Sequence, residues 1–122
     1  MDTKQLGNFG EDLACGYLVE KGLNILGRNF KIKFGEVDII AKKGKTIHFV
    51  EVKTIAGSDG FFPEQRADWK KQRKLRGLCQ IWLEKNKLPQ ETPQQIDIIG
   101  IVVNHETRMA KLHYFPNAVG DK

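Results

Sequence analysis

Cysteine is scarce: Cys15 and Cys79 are the only two in 122 residues, and no Cys-x-x-Cys spacing occurs. That excludes a disulfide scaffold and a cysteine-built zinc site. Long apolar runs are missing as well. None approaches the roughly 20 residues that span a bilayer, so no membrane association is expected. The opening residues Met1-Asp2-Thr3-Lys4-Gln5-Leu6-Gly7 lack the apolar centre of a secretory signal. A reduced, cytoplasmic compartment is the expectation. No repeat, low-complexity tract or Pro/Ser-rich linker divides the chain. The three histidines, His48, His105 and His113, are dispersed; each is expected on a strand face, not in a metal site or triad. Gly7-x-x-Gly10 is too short for a phosphate loop and lies inside helical periodicity.

What is present fits one folded α/β unit. Hydrophobic residues make 40% of the chain and charged residues 29%, enough to build one core over a single domain, 1–122. The net charge of +5 is unevenly spread. Between Arg66 and Leu88 eight basic residues face two acidic ones, a local charge of +6, whereas the remainder carries twelve against thirteen. Such concentration points to a polyanionic partner; a merely solvated lysine-rich helix is the plain alternative.

Leu6, Phe9, Gly10, Leu13, Ala14, Tyr17 and Leu18 recur at helical spacing, predicting an amphipathic helix over about 4–21 that Gly22 ends. Strands are predicted at 24–33, 36–41 (entered through Gly35) and 46–54. A glycine- and proline-punctuated loop follows over 56–65. A second helix is expected from about 66 to 87, with Trp69, Leu75, Leu78, Cys79, Trp82 and Leu83 on its apolar face. Two further strands fall at 96–103 and 109–115. The order is α-β-β-β-α-β-β, an α/β fold with a mixed central sheet flanked by helices.

The stretch with chemical content is Gly35-Glu36-Val37-Asp38-Ile39-Ile40, then Lys43-Gly44-Lys45, then Phe49-Val50-Glu51-Val52-Lys53. Gly44 opening a two-residue loop favours a type II′ hairpin pairing Lys43 with Thr46. In that register Ile40 opposes Phe49, Asp38 opposes Glu51 and Glu36 opposes Lys53. Alternation then puts Asp38, Glu51 and Lys53 on one face, with Ile39, Val50 and Val52 on the other for a helix to cover. Opposed carboxylates repel, and a sheet gains nothing from them. A hard divalent cation reverses that balance, because two carboxylates with positions left for water and phosphate oxygens suit Mg²⁺. Lys53 could then orient an attacking water or offset charge on a phosphoryl oxygen. Glu-x-Lys alone means little, since it arises about 0.4 times by chance in a chain this long. Its combination with a strand-borne Asp across a hairpin carries the weight. Glu11 borders the buried face of the first helix, from which it could lean toward the pair; a solvated flank is the alternative.

These segments, with Gly7-Asn8-Phe9-Gly10-Glu11-Asp12-Leu13-Ala14, Lys71-Gln72-Arg73-Lys74-Leu75, Asp97-Ile98-Ile99-Gly100 and Asn117-Ala118, resemble the YraN family of small bacterial proteins. That family is similar to PD-(D/E)XK nucleases and to archaeal Holliday-junction resolvases. The resemblance implies a restriction-endonuclease-like core and a phosphodiesterase site using Mg²⁺ or Mn²⁺. Asp38, Glu51 and Lys53 match the acid and (D/E)XK positions, and Glu11 matches the acidic residue of the first helix. Val37 replaces the signature proline. Thr54-Ile55 and Gln95 stand where the family often has arginine, which removes two phosphate contacts.

The expectation is therefore a metal-dependent endonuclease acting on DNA, including branched or deformed DNA. Asp38 and Glu51 hold the metal with Glu11 in support, and Glu11, Asp38, Glu51 and Lys53 form the catalytic set. Lys70, Lys71, Arg73, Lys74 and Arg76 are the expected phosphate contacts, Lys71 foremost, with Lys31 and Lys33 weaker. A homodimer is expected by analogy with the resolvases. Trp69 and Trp82 fit a core better than a stacking platform, and Phe61 and Phe62 read as a core cap or a wedge into nucleic acid. The alternatives are a non-catalytic nucleic-acid-binding module and an interaction protein with a residual acid pair.

Overall fold

Asp2 starts the first helix through a reciprocal cap. Its carboxylate accepts the Gln5 N–H at 2.8 Å, and the Gln5 side chain accepts the Asp2 N–H at 2.9 Å. The helix, α1, runs Thr3–Glu20. It ends where Gly22 takes a φ of 92° and where Lys43 donates to the orphan carbonyl of Lys21 at 3.0 Å. The computed structural model describes residues 2–33, 35–57 and 69–118, with backbone alone for 69–74.

Five strands follow with one helix between the third and fourth: β1 (Asn24–Ile32), β2 (Gly35–Lys43), β3 (Thr46–Ala56), α2 (Trp69–Lys85), β4 (Gln94–Asn104) and β5 (Met109–Phe115). This is the expected element order, within a few residues at each boundary. The strands form one sheet in the order β1-β2-β3-β4-β5. All neighbours are antiparallel except β3 and β4, whose parallel pairing is the crossover that α2 bridges. At the β2–β3 hairpin Lys43 pairs with Thr46 and Ile40 with Phe49, as predicted. Gly44 has a φ of 60° whereas Lys45 stays at negative φ, which is the type II′ pattern and not type I′.

Two apolar layers hold the helices on opposite faces. Leu75, Leu78, Cys79, Trp82 and Leu83 of α2 pack on Val37, Ile40, Ile47, Phe49 and Ile96. Ala14 and Leu18 of α1 pack on Ile39, Val50, Ile99 and Ile101, with Val52 at the margin. Ile39, Val50 and Val52 are thus covered by a helix, as the alternation required. Each fully buried Leu, Ile or Val contributes about 1.5–3 kcal/mol relative to exposure. Both cysteines are free thiols. Among the described residues no helix is long and apolar enough to cross a membrane.

Some expectations need correction or fall elsewhere. His105 lies in the β4–β5 turn and not on a strand, whereas His48 on β3 and His113 on β5 lie on strands as expected, His48 buried in a polar network. The loop predicted over 56–65 begins later, because Ala56 still pairs with Val103 in the β3–β4 ladder. Phe61, Phe62 and Arg66 lie outside the described residues, as do the side chains of Trp69, Lys70, Lys71, Arg73 and Lys74.

Candidate active site

The predicted pairing of β2 with β3 stops one residue short of the acids. The ladder runs from Lys43–Thr46 to Ile39–Val50 and no further. Asp38 therefore does not oppose Glu51 in the sheet, nor Glu36 Lys53. The Asp38 carboxylate instead accepts the Val52 N–H at 2.7 Å, a donor that a continued ladder would give to a β2 carbonyl. Beyond this point β2 keeps its pairs with β1 down to Gly35, and β3 keeps its pairs with β4 up to Ala56. The two strands part, and Asp38 stands at the fork.

Side-chain alternation breaks at the same place. Val37 joins the α2 layer but Ile39, two residues on, joins the α1 layer, so these neighbours on the period-two pattern face opposite ways. The neighbouring strand shows a matching break. Arg28 reaches α1, whereas Phe30 packs in the α2 layer. Between them Asn29 takes a φ of 54°, a left-handed conformation that asparagine tolerates better than most residues. Asp38 thus belongs to the gap, and neither face of the sheet claims it.

Burial pushes the Asp38 carboxyl up to about 7; the Val52 N–H pulls the other way, and the charges of Glu11, Glu51 and Glu36 add to the rise. Glu11 from α1 and Glu51 from β3 are therefore both within electrostatic range of Asp38. Glu11 does not point freely to solvent. Its side chain is 15% exposed and lies 3.5 Å from Arg28, which also pairs with Asp12 at 2.9 Å. Glu11 Oε1 is buried without a hydrogen-bond partner. Gly10 is what brings it there: a methyl at this position would overlap the Thr54 hydroxyl and crowd the Thr54 Cβ at 2.9 Å, so only glycine lets α1 lie this close to β3. Glu51 is half-buried and Lys53 exposed. By the alternation that places Ile47 and Phe49 under α2, both continue on that side of β3.

Among the described residues no three His, Cys, Asp or Glu side chains are gathered closely enough to hold an ion unaided. The donors still suit a hard divalent cation that takes one or two carboxylates and completes its shell with water and phosphate oxygens. Glu11 Oε1, buried with no hydrogen bond and only the Arg28 guanidinium at 3.5 Å, is the feature of this chain that such an ion would satisfy.

A second polar cluster escaped the sequence reading. Asp97 is fully buried in β4. Its Oδ2 lies 2.7 Å from His48 Nδ1 and accepts the Tyr114 hydroxyl at 2.7 Å; its Oδ1 accepts from the Gln95 side chain at 2.7 Å and the Asn117 N–H at 2.8 Å. Burial, then Asp97, pushes the Tyr114 hydroxyl up. The available signal was a lone carboxylate inside the apolar run 96–103, which a buried strand tolerates only with partners. Gln95 is turned onto this carboxylate. Arg76, the one expected phosphate contact on α2 whose side chain is described, is half-buried and lines a pocket beside β4.

Residues 10–101 match the model of uncharacterised protein family UPF0102. A UPF0102 protein of Dictyoglomus turgidum is 36% identical over 118 residues, 97% of this chain and 99% of the relative. One from Clostridioides difficile is 40% identical over 101 residues, covering 83% and 88%. One from Rhodococcus opacus is 39% identical over 100 residues, covering 82% and 84%.

Proposed function

Since the chain belongs to UPF0102, the YraN family, and that name carries no activity, we propose that it is a metal-dependent endonuclease hydrolysing DNA phosphodiester bonds, branched or deformed DNA included. The observation that carries this is the Asp38 carboxylate at the fork of β2 and β3, partly buried and within electrostatic range of Glu11 and Glu51. A carboxylate kept in such surroundings costs stability, as catalytic groups commonly do. The resemblance to PD-(D/E)XK nucleases adds a restriction-endonuclease-like reading of the fold.

Asp38 and Glu51 would hold Mg²⁺ or Mn²⁺, with Glu11 in support. The ion supplies charge neutralisation at the phosphate and makes water a better nucleophile. Lys53, exposed on β3 two residues from Glu51, orients the attacking water and offsets charge developing on the phosphoryl oxygens. The Val52 N–H fixes one Asp38 oxygen, leaving the rest of the carboxylate for the ion. The basic stretch of α2, Lys70 to Arg76, holds the backbone without reading sequence.

The test is cleavage of linear, flapped and four-way DNA with Mg²⁺ or Mn²⁺. Turnover lost in Glu51→Ala and Lys53→Ala supports these roles, and turnover that survives both refutes them. A second reading, a non-catalytic nucleic-acid-binding module, rests on the local charge of +6 between Arg66 and Leu88 alone. It predicts salt-sensitive DNA binding, and no Mn²⁺ uptake by calorimetry.

A further inference from the structure

The pocket between α2 and the start of β4 is lined mainly by side-chain amides. It encloses about 190 Å³ and includes five side-chain amides: Gln80, Gln90, Gln94, Gln95 and Asn117. Arg76 stands among them as the cation, and no carboxylate lines the pocket among the described residues. Ile96 and Cys79 supply apolar wall. Burial pushes the Cys79 thiol up to about 12, so it is a neutral surface there and not a nucleophile.

This wall is fixed in advance. The fully buried Asp97 holds the Gln95 amide at 2.7 Å and the Asn117 N–H at 2.8 Å through the same oxygen. Ala118 N–H donates to the Ile96 carbonyl at 2.8 Å, and Gln90 donates to the Gln80 carbonyl at 3.4 Å. Taking a carboxylate wholly out of water is costly. Here that carboxylate orders two residues of one pocket, which is how a binding wall is made rigid before its ligand arrives.

The chemistry selects a ligand. A side-chain amide presents a donor and an acceptor side by side, the arrangement that pairs with the edge of a nucleobase. A guanidinium takes phosphate through parallel hydrogen bonds. The volume lies below the roughly 300–1,000 Å³ of sites that enclose drug-sized ligands, so the group it takes is small. We infer that this pocket binds a single nucleotide unit, its base edge against the amides and its phosphate at Arg76. The unit is either a free nucleoside monophosphate or one unpaired nucleotide of a nucleic acid. Such binding stands apart from hydrolysis, because neither Glu51 nor Lys53 contributes to the pocket.

The experiment titrates the full chain, in chelator and without divalent metal, with each 2′-deoxynucleoside 5′-monophosphate. Side-chain amide resonances are followed by NMR. The expected result is a saturable shift of Gln90, Gln94 and Asn117 amides, with inorganic phosphate binding roughly tenfold or more weakly. Arg76→Gln and Gln94→Ala, each checked for an unchanged backbone spectrum, weaken binding by roughly tenfold. A duplex with one bulged nucleotide, compared with a fully paired duplex, distinguishes the sources: shifts with the bulge alone assign the pocket to nucleic acid, and shifts with free monophosphate alone assign it to a free nucleotide. Absence of saturable shifts in every arm overturns the inference. So does equal binding of inorganic phosphate, or wild-type binding by both variants. The chelator keeps these outcomes separate from any failure of the nuclease reading, which would leave them unchanged.

Discussion

Replacing Asp38 by asparagine should make the protein more stable, and by an amount that depends on pH. The amide oxygen of the Asp38→Asn variant can still accept the Val52 N–H that the carboxylate accepts at 2.7 Å, so the fork of the strands is kept while the charge is removed. In the folded chain burial and the neighbouring carboxylates raise the Asp38 carboxyl from 3.8 to about 7. Between those values the folded state holds a proton that the unfolded state has released. Stability of the wild type therefore falls relative to the variant as pH rises, by at most about 1.4 kcal/mol per pH unit. Below the unfolded value both side chains are neutral and the two proteins match. Above about pH 7 the difference levels off, with a ceiling of about 4 kcal/mol. Water reaching the carboxylate lowers this, and about 2 kcal/mol is the working expectation. Urea unfolding of both proteins at intervals from about pH 4 to 9 measures the gap. Parallel stability profiles, or a variant less stable than wild type at about pH 8, would refute the reasoning. In the metal reading, saturating Mn²⁺ narrows the gap in the wild type alone.

Other expectations follow from the same geometry. Gly10→Ala should destabilise by about 1–3 kcal/mol despite its better helix propensity, because the methyl meets Thr54. Gly16→Ala, with nothing within 4 Å of the added carbon, should instead stabilise by up to about 1 kcal/mol; urea midpoints of the pair decide. Asp97→Ala strips four polar groups of their partner and should cost about 3–5 kcal/mol in the same assay. If the five basic residues from Lys70 to Arg76 each meet a phosphate, log K for duplex DNA falls against log salt with a slope of about −4 to −5. Each Lys→Gln change should reduce that slope by about 0.9, as fluorescence anisotropy across a salt series would report.

The period-two and period-3.6 patterns made the elements legible, because each helix has one apolar face and most strands keep their alternation. They also located the hairpin, since Gly44 leaves few turn types open. They failed at Asp38 for a physical reason. Alternation and register assume an unbroken ladder, and a side chain that takes a backbone donor ends the ladder without any change in local composition. The expected opposition of Asp38 and Glu51 thus fails: Asp38 stands at a fork of two strands and not across a pair from Glu51. Glu11 was undecided for a similar reason. Whether a flank glutamate is solvated depends on how close its helix lies to the sheet, and that closeness is set by Gly10 meeting Thr54, a contact between distant segments. Asp97 was visible as a charge inside an apolar strand, but its partners are spread over β3, β5 and the segment after it.

Asp97, fully buried, and Asp38, partly buried, are treated in opposite ways. Asp97 accepts from Tyr114, Gln95 and Asn117 and pairs with His48. Four partners saturate a carboxylate's two oxygens, so nothing remains for a ligand, and its work is to hold the end of the sheet together. Asp38 has one donor among the described residues, Val52, and its electrostatic neighbours are acids. If stability alone shaped the fork, an asparagine there would keep the hydrogen bond and escape the repulsion from Glu11, Glu51 and Glu36. In the metal reading, an acid held at that position is compensated when a cation enters the fork. Arg76 does not supply that charge, since it lies in the pocket beside β4. In the proposed reading the partner of Asp38 is a small, hard cation, which carboxylate oxygens suit.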